Sequence, residues 1–267
     1  MGAEQSCTSA FLWVAAAPRA IDELHDALLA VFAGFDVRPA RMLISPRPGK
    51  TTAYNAARLA TAMRSPDTTS VLVKCAGDVP VVVDLHLHDI EARLTKHLHR
   101  YVKLTTPPMS SDDPRVVRFL EVVCDAYAVI QGGMLEASHV DLAAAECSTT
   151  TNNRVEGDRE KRLGFDAMNR REALHKLRRL YPVTIIGPAI WASLPPLPAV
   201  DPPLVVRDLA DCKMVTAWPT LVDPHDLAFL LGTRELRRWL WPHTIQNPAD
   251  DLATIDARLK WAELLPW

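Results

Sequence analysis

The sequence predicts a protein of α/β or α+β class, a layered mixed sheet with flanking helices. Three observations carry this prediction. Short apolar runs of strand length alternate with segments whose apolar residues recur at helical spacing. Strands and helices interleave along the whole chain, the order expected of layered architectures. The 267 residues are 48% hydrophobic and 23% charged, so a real core can form without metals or disulfides. Residues 1–267 read as one compact domain, with room for two similar halves, 1–150 and 151–267. Their border falls at the polar stretch Ser148-Thr-Thr-Thr-Asn-Asn-Arg-Val-Glu-Gly-Asp.

Phe11-Leu-Trp-Val-Ala is a first strand. Pro18 suits the entry to a helix, and Ile21, Leu24, Leu28, Val31, Phe32 and Phe35 follow helical spacing toward Gly34. Arg41-Met-Leu-Ile-Ser is a second strand, and Tyr54 to Met63 a second helix. Ser70-Val-Leu-Val-Lys-Cys and the run from Val79 to His88 form a strand pair around a Gly77-Asp78 turn. Residues 90–101 read as a charged helix. Asp112 or Asp113 caps a helix with Pro114 in its first turn, burying Val116, Val117, Leu120, Val123 and Cys124. Tyr127-Ala-Val-Ile is a strand stopped by Gly132-Gly133. Residues 159–180 form a basic helical segment in which Asp166, Arg170 and Arg171 can pair.

Six of the seven tryptophans lie at or after Trp191. Val183-Thr-Ile-Ile and Lys213-Met-Val-Thr-Ala-Trp are strands there. Asp223-Pro-His-Asp starts a helix with Asp223 as cap. Gly232 breaks it, Thr233 begins another carrying Leu236, Trp239 and Leu240, and Trp241-Pro242 ends that one. Asn247-Pro248 opens a last helix.

The net charge of −2 argues against a dedicated nucleic-acid binder. Cys7, Cys75, Cys124, Cys147 and Cys212 are odd in number, scattered and without a CxxC pair, the usage of reduced cytoplasmic thiols. Cys212, beside Asp211 near a strand start, reads as a buried structural thiol, with a more exposed, nucleophilic cysteine as the alternative. The start of the chain lacks a basic secretory leader, and the apolar run 11–17 is too short to span a bilayer. A cytoplasmic protein without membrane partners is the expectation.

Candidate chemistry is incomplete at each place it surfaces. Ser45-Pro-Arg-Pro-Gly-Lys50-Thr51, between a strand and a helix, has the context of a phosphate loop, with Asp84 after Val81-Val-Val as a metal-holding carboxylate. The leading glycine is replaced by Ile44, and Pro46 and Pro48 lack the N–H groups that cradle phosphate. Lys50 and Thr51 define a nucleotide-binding alternative against a proline-stiffened turn. In Asp84-Leu-His86-Leu-His88, both imidazoles project from one face of a strand and could share a metal. That defines a metal-dependent hydrolase alternative, against a strand with one polar face. No Gly-x-Ser-x-Gly elbow occurs. Glu136, Glu146, Asp201, Asp208 and Asp211 show no spacing that brings two carboxylates together. Arg234, Arg237, Arg238, Trp239 and Trp241 crowd one short helix, and tryptophan and arginine are enriched among interface hot spots. Arg234, Arg237, Arg238 and Trp241 are therefore the partner-binding candidates, against internal packing of the rings with arginines reaching to water.

Tyr181-Pro-Val-Thr-Ile-Ile-Gly-Pro-Ala-Ile-Trp-Ala-Ser-Leu-Pro, then Asp211-Cys-Lys-Met-Val-Thr-Ala-Trp-Pro, then Asp223-Pro-His-Asp-Leu-Ala-Phe-Leu resemble the closing half of the type VI immunity-like families of proteobacteria. The resemblance spans residues 180–250. It implies a strand, a short helix at a leucine–proline turn, a strand pair and a helix after a proline. It also implies a cytoplasmic protein of interbacterial competition that binds a cognate toxin, needs no cofactor and catalyses nothing. The motif is structural, so it carries no contact residue over, and it leaves the toxin and the oligomeric state open.

Overall fold

The computed structural model describes residues 6–15, 17–45, 51–76, 79–88, 100–138, 175–177, 180–200, 203–222 and 226–244. Among these residues ten strands form one sheet: β1 (Ser6–Val14), β2 (Pro39–Ser45), β3 (Thr52–Ala53), β4 (Ser70–Cys75), β5 (Val82–His86), β6 (Arg100–Thr106), β7 (Val129–Ser138), β8 (Val183–Ile186), β9 (Val205–Leu209) and β10 (Cys212–Thr216). Their order is β3-β2-β4-β5-β6-β1-β7-β8-β10-β9. Every pairing within it is antiparallel. The class is therefore α+β, and the expected mixed sheet is corrected: the interleaved helices connect strands without making parallel crossovers. β7 pairs with β8, so strands from both ends of the chain share the sheet.

Strand alternation divides the apolar residues between two faces. From β1, Leu12 and Val14 join a cluster with Leu24, Leu28, Val31 and Phe32 of α1 (Ile21–Gly34), Leu59 and Met63 of α2 (Ala56–Arg64), and Val116, Leu120 and Val123 of α3 (Pro114–Ala126). Phe11 and Trp13 point the other way and pack edge-on, 5.0 Å between ring centroids, with Leu135 and Tyr181 beside them. A third cluster joins Ile186 and Val215 to Ile190 of α4 (Pro188–Ser193), Phe229 of α5 (Leu227–Gly232) and Leu236 and Leu240 of α6 (Arg234–Leu240).

Asp113 caps α3, accepting from the Arg115 N–H at 2.9 Å. The Arg115 guanidinium also pairs with the Asp113 carboxylate at 2.6 Å and lies 4.0 Å from the Phe35 ring centre. It thereby ties the end of α1 to the start of α3 and, with burial working against it, holds the Asp113 carboxyl below the usual range.

Several expectations are revised. Tyr101 belongs to β6, not to the end of a charged helix; residues 89–99 lie outside the described part. Gly132 and Gly133 do not stop β7 but run through its middle. A Cβ at Gly132 would meet the Phe11 carbonyl oxygen at 2.1 Å, so the absent side chain admits a neighbouring strand. Asp226, not Asp223, caps α5, accepting from Phe229 N–H at 3.1 Å. The polar border at 148–158, the basic segment up to residue 174 with Asp166, Arg170 and Arg171, Cys147, and the helix at 247 lie outside the described residues.

Candidate functional site

The C-terminal helix pair is built around its break. The Trp218 ring lies against Gly232, where a Cβ would stand 2.1 Å from a ring carbon. Trp218 also meets the Phe229 ring edge-on at 6.0 Å. Thr233 does not cap α6 with its side chain; its hydroxyl donates back to the Phe229 carbonyl at 2.6 Å. Leu236 and Leu240, one turn apart, seal the inner face of α6.

These constraints separate the four predicted contact residues. Arg237 is half-buried: Nε donates to Thr233 Oγ1 at 3.0 Å, and the guanidinium lies 4.9 Å from the Phe229 ring centre. It is held inside the helix pair. Arg234, Arg238 and Trp241 recur at intervals of four and three and so share one strip, with Arg238 exposed and the other two half-buried. Trp239, expected to be fully inward, is half-buried, its ring 6.3 Å from that of His243. Arg234, Arg238 and Trp241 thus lie along one strip of the helix pair, apart from Arg237.

Of the metal alternative, His86 ends β5, and His88 lies two residues beyond the strand. Both are half-buried on the face opposite Val83 and Leu85. The backbone oxygen of His86 accepts from the Tyr127 hydroxyl at 2.7 Å. Among the described residues no three His, Cys, Asp or Glu side chains are grouped as metal ligands would be. Asp84, on the same face, accepts from the Tyr101 hydroxyl at 3.3 Å and stands opposite Lys103 in the β5–β6 register. Burial pushes its carboxyl up to about 6, against the pull of that hydrogen bond and of the Lys103 charge.

For the phosphate alternative, Lys50 lies outside the described residues, and Thr51 is exposed. Thr51 leads into β3, which pairs with β2, and α2 starts only at Ala56. Its cap is Asn55, which accepts from Arg58 N–H at 2.8 Å. The expected passage from loop directly into helix is corrected: a strand intervenes, so Thr51 is not at a helix N-terminus.

Cys7, Cys75, Cys124 and Cys212 are buried thiols. Cys212 is 1% exposed, a buried structural thiol as expected; it begins β10 with its side chain turned into the core. The Cys124 thiol is hydrogen-bonded to Cys212, and that bond and burial raise its pKa. Burial pushes Cys7 up to about 11. The raised Cys7 and Cys124 thiols are poor nucleophiles, whereas the hydrogen bond with Cys124 lowers the pKa of Cys212 against the effect of burial. Among the carboxylates, Glu136 accepts from the Ser6 hydroxyl, Asp208 pairs with Lys213, and Asp211 lies in the β9–β10 turn; Glu146 and Asp201 lie outside the described residues.

No helix among the described residues is long and apolar enough to cross a membrane. No family model matches the sequence, and no curated protein does. Among solved structures, the chain is similar to Pseudomonas aeruginosa T6SS protein PA0821, with 12% identity, 97% of this chain and 86% of that chain covered, and a TM-score of 0.50. At that identity the likeness is one of fold, and it extends over nearly the whole chain.

Proposed function

We propose that this chain is a non-enzymatic immunity protein that binds a cognate bacterial toxin in the cytoplasm and neutralises it. The observation that carries the reading is the fold shared with a T6SS protein over 97% of this chain. The closing layout agrees with the immunity-like resemblance: β8, then α4, then the β9–β10 hairpin, then α5 behind Pro224. Neutralisation by binding asks for a shaped surface with aromatic and arginine anchors on a rigid support. Arg234, Arg238 and Trp241 are the anchors in this reading, and Arg237 supports them from beneath. The work is done by occupying the toxin's surface, with no cofactor and no bond made or broken. Co-expression with the product of the adjacent gene tests it. A stable complex through affinity purification is the expected result; separate elution with toxicity undiminished would overturn the proposal.

A further inference from the structure

Among the described residues the sheet has two edges. At one, β3 is two residues long; at the other, β9 is five. β9 is exposed from Val205 to Asp208 and buries only Leu209. Val205 is 61% and Val206 41% exposed, and as neighbours in a strand they point to opposite faces. The two-residue turn between Leu209 and Cys212 makes those two a hydrogen-bonded pair, so Arg207 and Val205 also turn their backbone groups to β10. The N–H and C=O groups of Leu204, Val206 and Asp208 therefore face outward.

We propose that β9 is the docking strand for a second copy of this chain, the two strands pairing antiparallel about a twofold axis at Val206. A twofold axis perpendicular to a sheet sets only residues of one face opposite each other, so the axis must pass through a residue. At Arg207 it opposes two guanidinium groups, and at Asp208 two carboxylates; like charges directly opposite destabilise a strand pair. At Val205 it sets Arg207 against Pro203. At Val206 the two valines face each other and exchange backbone hydrogen bonds, Leu204 faces Asp208, and Val205 lies along the aliphatic stem of Arg207. Arg207 keeps Glu121 at 3.2 Å, and Asp208 keeps Lys213. The short strand makes a small interface, so the dimer depends on concentration. This inference does not rest on toxin binding.

Sedimentation of the full chain over a range of concentrations tests it. The expected result is a monomer–dimer equilibrium that Val206→Asp shifts to monomer without changing the circular dichroism spectrum. Directly opposed, hydrogen-bonded residues stand about 5.5 Å apart between Cα atoms, within disulfide reach. Val206→Cys is therefore expected to give a covalent dimer with oxidised glutathione, while Val205→Cys and the parent chain do not. A monomer at every concentration with no cross-link through Val206→Cys would overturn the proposal and leave the edge to a strand of another protein. Dimerisation unaffected by Val206→Asp would overturn it as well.

Discussion

Gly133 of β7 lies against the ring of Tyr181: a Cβ built on it would stand 2.5 Å from a ring carbon. Tyr181 is 1% exposed and also meets Phe11 edge-on at 5.0 Å, so the ring has nowhere to retreat. Its main chain is fixed too, because Tyr181 N–H donates to Thr184 Oγ1 at 3.0 Å. Gly133→Ala is expected to cost about 1–3 kcal/mol, the usual range for overpacking a core. Urea denaturation checks it through the midpoint at unchanged slope.

That contact also explains part of what the sequence concealed. A Gly-Gly pair is a local signal for a turn, and the reason β7 continues through it lies in Phe11 and Tyr181, distant in sequence. β1, α1, β2, β4, α3, β8 and β10 were legible because each carries its own apolar periodicity, and the α3 start was legible in Asp113-Pro114. β6 was hidden because the charged run before Tyr101 carried helical spacing across its start. β9 was hidden because it buries only Leu209 and so shows no alternation. The antiparallel sheet was not legible because pairing direction depends on contacts far apart along the chain. At the candidate site, the crowding of arginine and tryptophan was visible, but the division between Arg237 and its neighbours was not. It depends on Thr233 and Phe229, which look in sequence like an ordinary helix break.

Arg237 and Arg238 are expected to respond differently to replacement. Arg237→Ala removes a hydrogen bond and a cation–π contact inside the helix pair, and should lower stability by about 1–2 kcal/mol. Arg238→Ala, at an exposed position, should change stability by no more than about 0.5 kcal/mol. Thermal denaturation of the two variants side by side measures the contrast. Equal losses would mean that the two side chains play the same role.

Asp84 gives the protein a pH signature. Its carboxyl is raised from 3.8 to about 6, chiefly by burial. Below 3.8 the group is protonated in both states. Between the two values the unfolded chain ionises while the folded one keeps its proton, so stability falls as pH rises, and above about 6 the loss is complete. Asp84→Asn is expected to remove this slope, leaving the variant more stable relative to the parent at neutral pH than in acid. Denaturant midpoints across that window check it; parallel curves for the two proteins would refute it.

Ala210 opens the β9–β10 turn with φ of 50°, in the left-handed region that costs an L-residue with a Cβ. Ala210→Gly should therefore stabilise the hairpin by about 1 kcal/mol. A higher melting temperature is the expected reading.

The central claim is that the chain acts by fitting against a toxin. It is tested most directly by titrating the purified protein into the purified product of the adjacent gene while following that product's toxic activity. The account predicts a fall to zero at a fixed stoichiometry, with affinity weakened by Arg238→Ala and Trp241→Ala in folded protein. Undiminished activity at large excess would contradict it.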